Sequence, residues 1–183
     1  MRPNSTAFAA QLHAAAMESL ATVGRWMPWC HPQRTEEEGL DWYRACEENW
    51  DTGVEYEFSA FAPTGEYLGA AGLNQFNRVH NFANLGYWVR ESRQGQGIAV
   101  EAAMLIAEFG FRTLRLSRIE IVVAEDNLPS RRVAERVGAT FEGIARNRIM
   151  FRGASVDAAM YSLIPSVEMD RGVPAHAPRG KSD

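Results

Sequence analysis

Residues Leu85 to Leu116 read LGYWVRESRQGQGIAVEAAMLIAEFGFRTLRL, and the periodicity of the stretch changes twice along its length. Leu85, Tyr87 and Val89 alternate with smaller or polar neighbours, and the aromatic and β-branched content suits a strand. Arg90 to Gly97 is a polar break holding two glycines. From Ile98 the spacing is helical, with Ala102, Leu105, Ile106 and Phe109 predicted to share one apolar face. Strand, glycine loop and helix start together describe an anion site. The first turn of a helix leaves N–H groups unpaired at the positive end of its dipole, and Gly95 and Gly97 let the chain before it curl around a guest. The expected guest is a phosphate or pyrophosphate; a plain glycine turn before a helix would read the same way.

Spacing narrows the choice of anion site. A P-loop needs Gly-Lys-Ser/Thr at the helix start, and the chain has no lysine before Lys181. A dinucleotide fingerprint wants a third small residue where Val100 stands, and it should open a βαβ series. Here two strand-like segments with hairpin-like connections come first.

Composition excludes other classes. The 183 residues suit one domain with a full-sized core, and a net charge of -4 leaves no footprint of nucleic-acid binding. No apolar run has the length of a membrane span and the start lacks a signal-peptide pattern, so the cytoplasm is the expected compartment. Cys30 and Cys46 read as two small buried thiols, and the four histidines show no metal-ligand spacing with them, so no metal is expected. The acidic run from Glu36 to Glu57 could draw in a cationic amine, or could simply be solvated helix faces.

In chain order, Ser5 or Thr6 caps a helix expected to run to about Val23. Thr35 and Glu38 form a capping box for a second helix ending by Gly53. Glu55 to Ala62 and Tyr67 to Phe76 read as a hairpin, followed by the strand that opens the Leu85 stretch. Arg118 to Ala124 reads as a strand parallel to that one, because a helix separates them. A short helix from Pro129 to Val137 is stopped by Gly138. Thr140 to Met150 and Ser155 to Ile164 form a closing hairpin. The segment from Pro165 on is rich in Pro, Gly and charge, so residues 1–165 are expected to form the domain and 166–183 a disordered tail.

Gln94-x-x-Gly97-x-Ala99 on a strand-to-helix junction resembles the Q/R-x-x-G-x-G/A signature of the general-control N-acetyltransferase (GNAT) superfamily. The block from Glu125 to Gly143, EDNLPSRRVAERVGATFEG, is similar to the N-x-x-S…G-F-x-x-E-G run of the branch that acetylates ribosomal-protein N-termini. GYW at Gly86 and GRWMPW at Gly24 also look like that branch. The resemblance implies a single-domain α/β (α+β) fold. Its mixed, mostly antiparallel sheet is splayed between the central strand and its parallel neighbour and flanked by helices. That fold usually begins with a strand, for which only Met1 to Asn4 remain, so a stub or a late start is expected.

The same resemblance implies acetyl-CoA as cofactor and direct attack by an amine in a ternary complex. Cofactor contacts fall on Trp88, Val89, Arg90, Gln94, Gly95, Gln96, Gly97, Ile98, Ala99, Asn127, Ser130 and Arg132. Trp26, Trp29, Asn74 and Tyr87, with Trp42, become candidates for acceptor contact. Ser130 matches the serine that serves the leaving thiolate in the ribosomal branch, while the tyrosine used by other members falls at Ala134. Asn127-x-x-Ser130 is also a plain helix cap. The family's two general-base positions fall at Asn84 and Ile149, neither of which takes a proton. That leaves Glu55, Glu57, Glu101, Glu142 and His80, which spacing does not separate. An enzyme lacking a dedicated base should prefer an α-amine, roughly a quarter neutral near pH 7.4, over lysine at about a tenth of a per cent. The acceptor is therefore expected to be the N-terminal α-amine of a protein such as a ribosomal protein; the rival among enzymes is a small amine such as a polyamine, antibiotic or amino-acid derivative. A catalytically weak acyl-CoA-binding module is the rival, and a homodimer is compatible with the branch.

Overall fold

The computed structural model describes residues 1–165. The expected tail at 166–183 lies outside the described residues. Seven strands form one sheet in the order β1-β2-β3-β4-β5-β7-β6, built from Arg2–Pro3, Tyr56–Phe61, Tyr67–Asn77, Phe82–Val89, Arg118–Ala124, Thr140–Phe151 and Ala154–Leu163 for β1 to β7. The four α-helices are α1 (Ala9–Glu18), α2 (Glu36–Thr52), α3 (Ile98–Arg112) and α4 (Leu128–Arg136). This is the mixed, mostly antiparallel α/β sheet that the motifs imply. Its one parallel pairing, β4 with β5, lasts only from Phe82, Ala83 and Asn84 to Arg118, Ile119 and Glu120. The initial strand is a stub of two residues paired with Ser59 and Phe58.

Successive side chains of a strand face opposite ways, so the sheet feeds two cores. Leu73 and Leu85 pack with Ile106 of α3, Ile119, Ile121 and Tyr161 on one face. Ala70 and Trp88 pack with Leu12 and Ala16 of α1, Tyr43 of α2 and Tyr67 on the other. The Thr35 capping box is present, with Glu38 N–H donating to the Thr35 hydroxyl at 3.2 Å and Thr35 N–H to the Glu38 carboxylate at 2.8 Å. Cys30 and Cys46 are free and buried.

Two expectations need correction. Helix α1 stops at Glu18 instead of reaching Val23, because the Ser19 hydroxyl donates to Ala15 C=O at 2.6 Å and draws the backbone out of the helical ladder. The same hydroxyl oxygen accepts from Glu91 N–H at 2.9 Å, tying this corner to the loop that follows β4. In α3 the buried face is Ala102, Ala103, Ile106, Ala107, Gly110 and Phe111, while Leu105 is 45% exposed on the far side. The small residues sit against the sheet because they let the helix approach closely; hydrophobicity alone pointed to the larger side chain.

Candidate active site

Beyond Asn84 and Glu120 the central strands part. β5 stays paired with β7 to Ala124, and β4 stays paired with β3 to Val89. A wedge opens between them, edged by main chain of β4. Arg90 N–H is bonded to Leu68 C=O at 2.9 Å. Backbone groups alternate along a strand, so the N–H groups of Tyr87 and Val89 turn to the wedge and that of Trp88 turns to β3. Two cavities adjoin here and share Met27, Tyr87 and Trp88 as walls.

The larger cavity, about 560 Å³, lies on the glycine-loop side. Gly95 and Gly97 have φ of 74° and 84°, the left-handed conformation expected of them, and open space stands where their side chains would be. The first bond of α3 runs from Glu101 N–H to Gly97 C=O at 3.0 Å, leaving the N–H groups of Ile98, Ala99 and Val100 without helical partners. Arg25, Arg132 and Arg136 add positive charge, while Arg93, also in the wall, is paired with Glu66. Unpaired amides, bare glycines and guanidinium groups fit a pyrophosphate-bearing thioester such as acetyl-CoA.

Of the residues expected to hold that ligand, Trp88, Val89, Gln94, Gly95, Gly97 and Ile98 line this cavity, as do Ala99, Asn127, Ser130 and Arg132. Gln94 also holds the loop to the strand end, its amide donating to Val89 C=O at 2.9 Å. Arg90 and Gln96 do not line it. The Arg90 guanidinium turns away to pair with Glu18 and to donate to Tyr67 C=O at 3.2 Å, and Gln96 donates to Ser92 C=O at 3.3 Å. Trp26 lines this cavity and not the smaller one, with Arg25 stacked 4.9 Å from its ring centre.

Ser130 faces the wedge from α4. Asn127 caps that helix, accepting from Ser130 N–H at 3.3 Å, so the cap reading of this pair is realised as well. Tyr87 donates to Ser130 C=O at 2.9 Å, and the two hydroxyls are 3.0 Å apart. With its single proton on the carbonyl, Tyr87 receives the proton of Ser130. Burial pushes the Tyr87 phenol up to about 12, against the opposing bond from Ser130, which keeps it protonated. Ala134 is fully buried.

The smaller cavity, about 290 Å³, lies over the bare backbone of Gly86 between Trp29, Trp42 and Trp88. Trp29 meets Trp88 edge to face with centroids 5.2 Å apart. Glu57 enters this cavity from β2. Its register partner is Gly72, and a Cβ there would lie 2.2 Å from Glu57 Oε2, so the carboxyl occupies the space a side chain would take. Asn74 donates to Glu57 Oε1 at 3.1 Å, and Asn84 donates to Asn74 Oδ1 at 3.0 Å. The buried Asn84 Oδ1 has no partner among the described residues. Burial raises Glu57 to about 7, the Asn74 bond opposes the rise, and the Glu55 charge adds to it. Glu55 lines the same cavity and accepts from Asn49 at 2.9 Å.

The remaining base candidates lie elsewhere. Glu142 pairs with Arg118 at 2.5 Å, and that bond, with one from Ser162, lowers it to about 2. Glu101 is exposed in the first turn of α3, His80 is exposed in a turn, and Ile149 is half-buried on β6. Sequence reasoning included Glu57 without separating it from the others, and it passed over Arg34, Arg25, Arg93 and Arg136. One available signal was the alternation Glu57-x-Ser59, which sets Glu57 on the same side of β2 as the buried Ser59.

The family model described as "Acetyltransferase (GNAT) domain" matches residues 1–140. The ribosomal-protein-serine acetyltransferase of Escherichia coli (strain K12) is 31% identical over 99 residues, 54% of this chain and 55% of that one. This chain spans about half the length of the curated relatives it matches. A Vibrio cholerae structure classed with the ribosomal-protein-serine acetyltransferases is 30% identical, with a TM-score of 0.76 over 88% of this chain and 90% of that one. The structure of RimL, a ribosomal L7/L12 alpha-N-protein acetyltransferase in complex with coenzyme A, has a TM-score of 0.81 at 24% identity, covering 89% and 92% of the two chains.

Proposed function

Since the chain belongs to the GNAT acetyltransferase family, we propose that it transfers an acetyl group from acetyl-CoA to a primary α-amine, by direct attack in a ternary complex. The observation that carries this reading is the meeting of the two cavities at Tyr87 and Trp88. An anion cradle opens on one side and a carboxyl held near neutrality on the other. The acceptor most in keeping with the relatives is a protein N-terminus such as that of a ribosomal protein.

Each residue has a definable task. The loop amides and Arg132 hold the pyrophosphate. Val89 N–H, turned to the wedge, donates to the thioester oxygen as charge develops there. Glu57 takes the proton of the acceptor amine, with Asn74 and Asn84 fixing its orientation. A base near 7 is well matched to an α-amine near 7.8 and poorly matched to lysine near 10.4, about three powers of ten away. Ser130, held in place by Tyr87, turns its single proton from the phenol oxygen to the leaving sulfur as charge develops there. Trp29, Trp42 and Trp88 surround the acceptor and exclude water.

Release of coenzyme A thiol across a panel of peptide α-amines, lysine side chains and small amines tests this. Peptide α-amines should turn over fastest. Binding without thiol release under any acceptor would reduce the protein to an acyl-CoA-binding module, and faster turnover of a polyamine would move it to the small-amine class. Ser130→Ala should lower kcat with little change in cofactor affinity, and Gly97→Glu should abolish cofactor binding.

A further inference from the structure

Arg34 lines the acceptor cavity and is only 9% exposed, yet it forms no ion pair among the described residues. Its guanidinium lies 5.1 Å above the Trp29 ring centre, and Nη1 makes a long bond of 3.4 Å to Trp29 C=O. Nε is buried with no partner among the described residues. Glu38, an acid whose charge acts on Arg34, is committed to capping α2 through Thr35. A cation taken from water without a counter-ion is costly to the fold. Nothing else in this cavity has that character, because Glu55 and Glu57 both have amide donors.

The placement of the charges is informative. Arg34 stands on Trp29, Trp29 packs against Trp88, and Trp88 lies opposite Ala70 on β3. Glu57 lies opposite Gly72, one side-chain step further along that strand, about 7 Å at the usual rise. An acidic pole and a basic pole thus face one cavity of about 290 Å³, large enough for a single amino-acid residue.

We infer that the acceptor carries a carboxylate beside its amine, the carboxylate pairing with Arg34 while the amine faces Glu57. This rests on the acetyl-transfer reading and narrows its substrate to a zwitterionic acceptor. The carboxylate can come from the side chain of an acidic N-terminal residue or from the α-carboxylate of a free amino acid.

Thiol release from acetyl-CoA is measured with two acceptor pairs: Glu-Gly-Gly-amide against Gln-Gly-Gly-amide, and leucine against leucinamide. In the wild type, the acidic member of one pair should have the higher kcat/KM by about tenfold or more, expressed in KM, as expected of a hydrogen-bonded charge pair. Arg34→Met should bring that ratio near one, chiefly by raising KM for the acidic member. Arg34→Lys should restore part of the preference, which a purely structural role would not do. For leucine and leucinamide, the comparison between wild type and variant cancels their different basicities. A preference confined to the first pair assigns the side-chain carboxylate, and one confined to the second assigns the α-carboxylate. Thiol release with neither preference, or a preference that survives Arg34→Met, overturns the inference alone. No thiol release from any acceptor overturns the acetyl-transfer reading along with it. Should Arg34→Met not fold, the wild-type ratios and Arg34→Lys still decide.

Discussion

Replacing Glu57 with glutamine should make the protein more stable and less active, for one reason. Burial raises the carboxyl from an ordinary 4.5 to about 7, a difference of about 3 kcal/mol between its two protonation states. Below pH 4.5 the group is protonated in both folded and unfolded chains and contributes nothing. As the pH rises from 4.5 to about 7 the unfolded chain gives up its proton while the folded chain keeps it, so stability falls steadily. Above about 7 the folded chain holds a buried carboxylate and the whole penalty stands. Glutamine keeps the shape and can still accept from Asn74, but carries no charge to bury. Urea unfolding should therefore show similar stability for the two proteins near pH 4.5, and an advantage for Glu57→Gln of up to about 3 kcal/mol near pH 8.5. In the thiol-release assay kcat/KM should fall by roughly 10² to 10⁴ with a peptide α-amine, and the limb of its pH profile that rises through about 7 should disappear. The reasoning is refuted by a stability difference that is the same at both pH values, or by a variant that keeps the limb.

Other changes test neighbouring parts of the site. Gly72→Ala places a methyl 2.2 Å from the Glu57 carboxyl and 2.6 Å from Tyr56 C=O; it should cost about 1 to 3 kcal/mol in thermal or urea unfolding and lower activity by displacing Glu57. Tyr87→Phe leaves the Ser130 hydroxyl without its acceptor, so kcat should drop while KM for acetyl-CoA changes little, and adding Ser130→Ala to it should cost less than the sum of the two, as steady-state kinetics of the double variant would reveal. Glu18 is lowered to about 2 by its bond to Arg90; the stability it provides is complete above 4.5 and is lost as the pH falls toward about 2, so acid unfolding followed by circular dichroism should be shallower over that range in Glu18→Gln.

Most of the scaffold could be read along the chain because its signals are local. The switch from alternation to helical spacing at Ile98, the capping box at Thr35 and the glycines at 95 and 97 each act within a few residues, and each is present as expected. Where reading failed locally, at the end of α1, a serine hydroxyl overrode the hydrophobic pattern. The acceptor side was harder because its defining contacts are nonlocal. Glu57 is distinguished from the other carboxylates by lying across from Gly72, a matter of strand register; the alternation with Ser59 gives its face but not its partner. Arg34 is distinguished by being buried with no ion pair among the described residues, which only the assembled fold reveals. Arg90 illustrates the converse: it stands next to the loop in sequence, but its guanidinium is directed to Glu18 and Tyr67 on the opposite side.

The short seam at Phe82–Asn84 and Arg118–Glu120 has a further consequence for how such a protein can change. The aromatic and charged lining of the smaller cavity, the proposed acceptor side, is contributed largely by residues before Gly72, while the glycine turn of the larger cavity, the proposed cofactor side, begins after Val89. On that reading selectivity and grip come largely from separate portions of the polypeptide, which meet at Met27, Tyr87 and Trp88. New acceptors can be acquired by rewriting the first portion, leaving the second as a common handle for the same acyl donor.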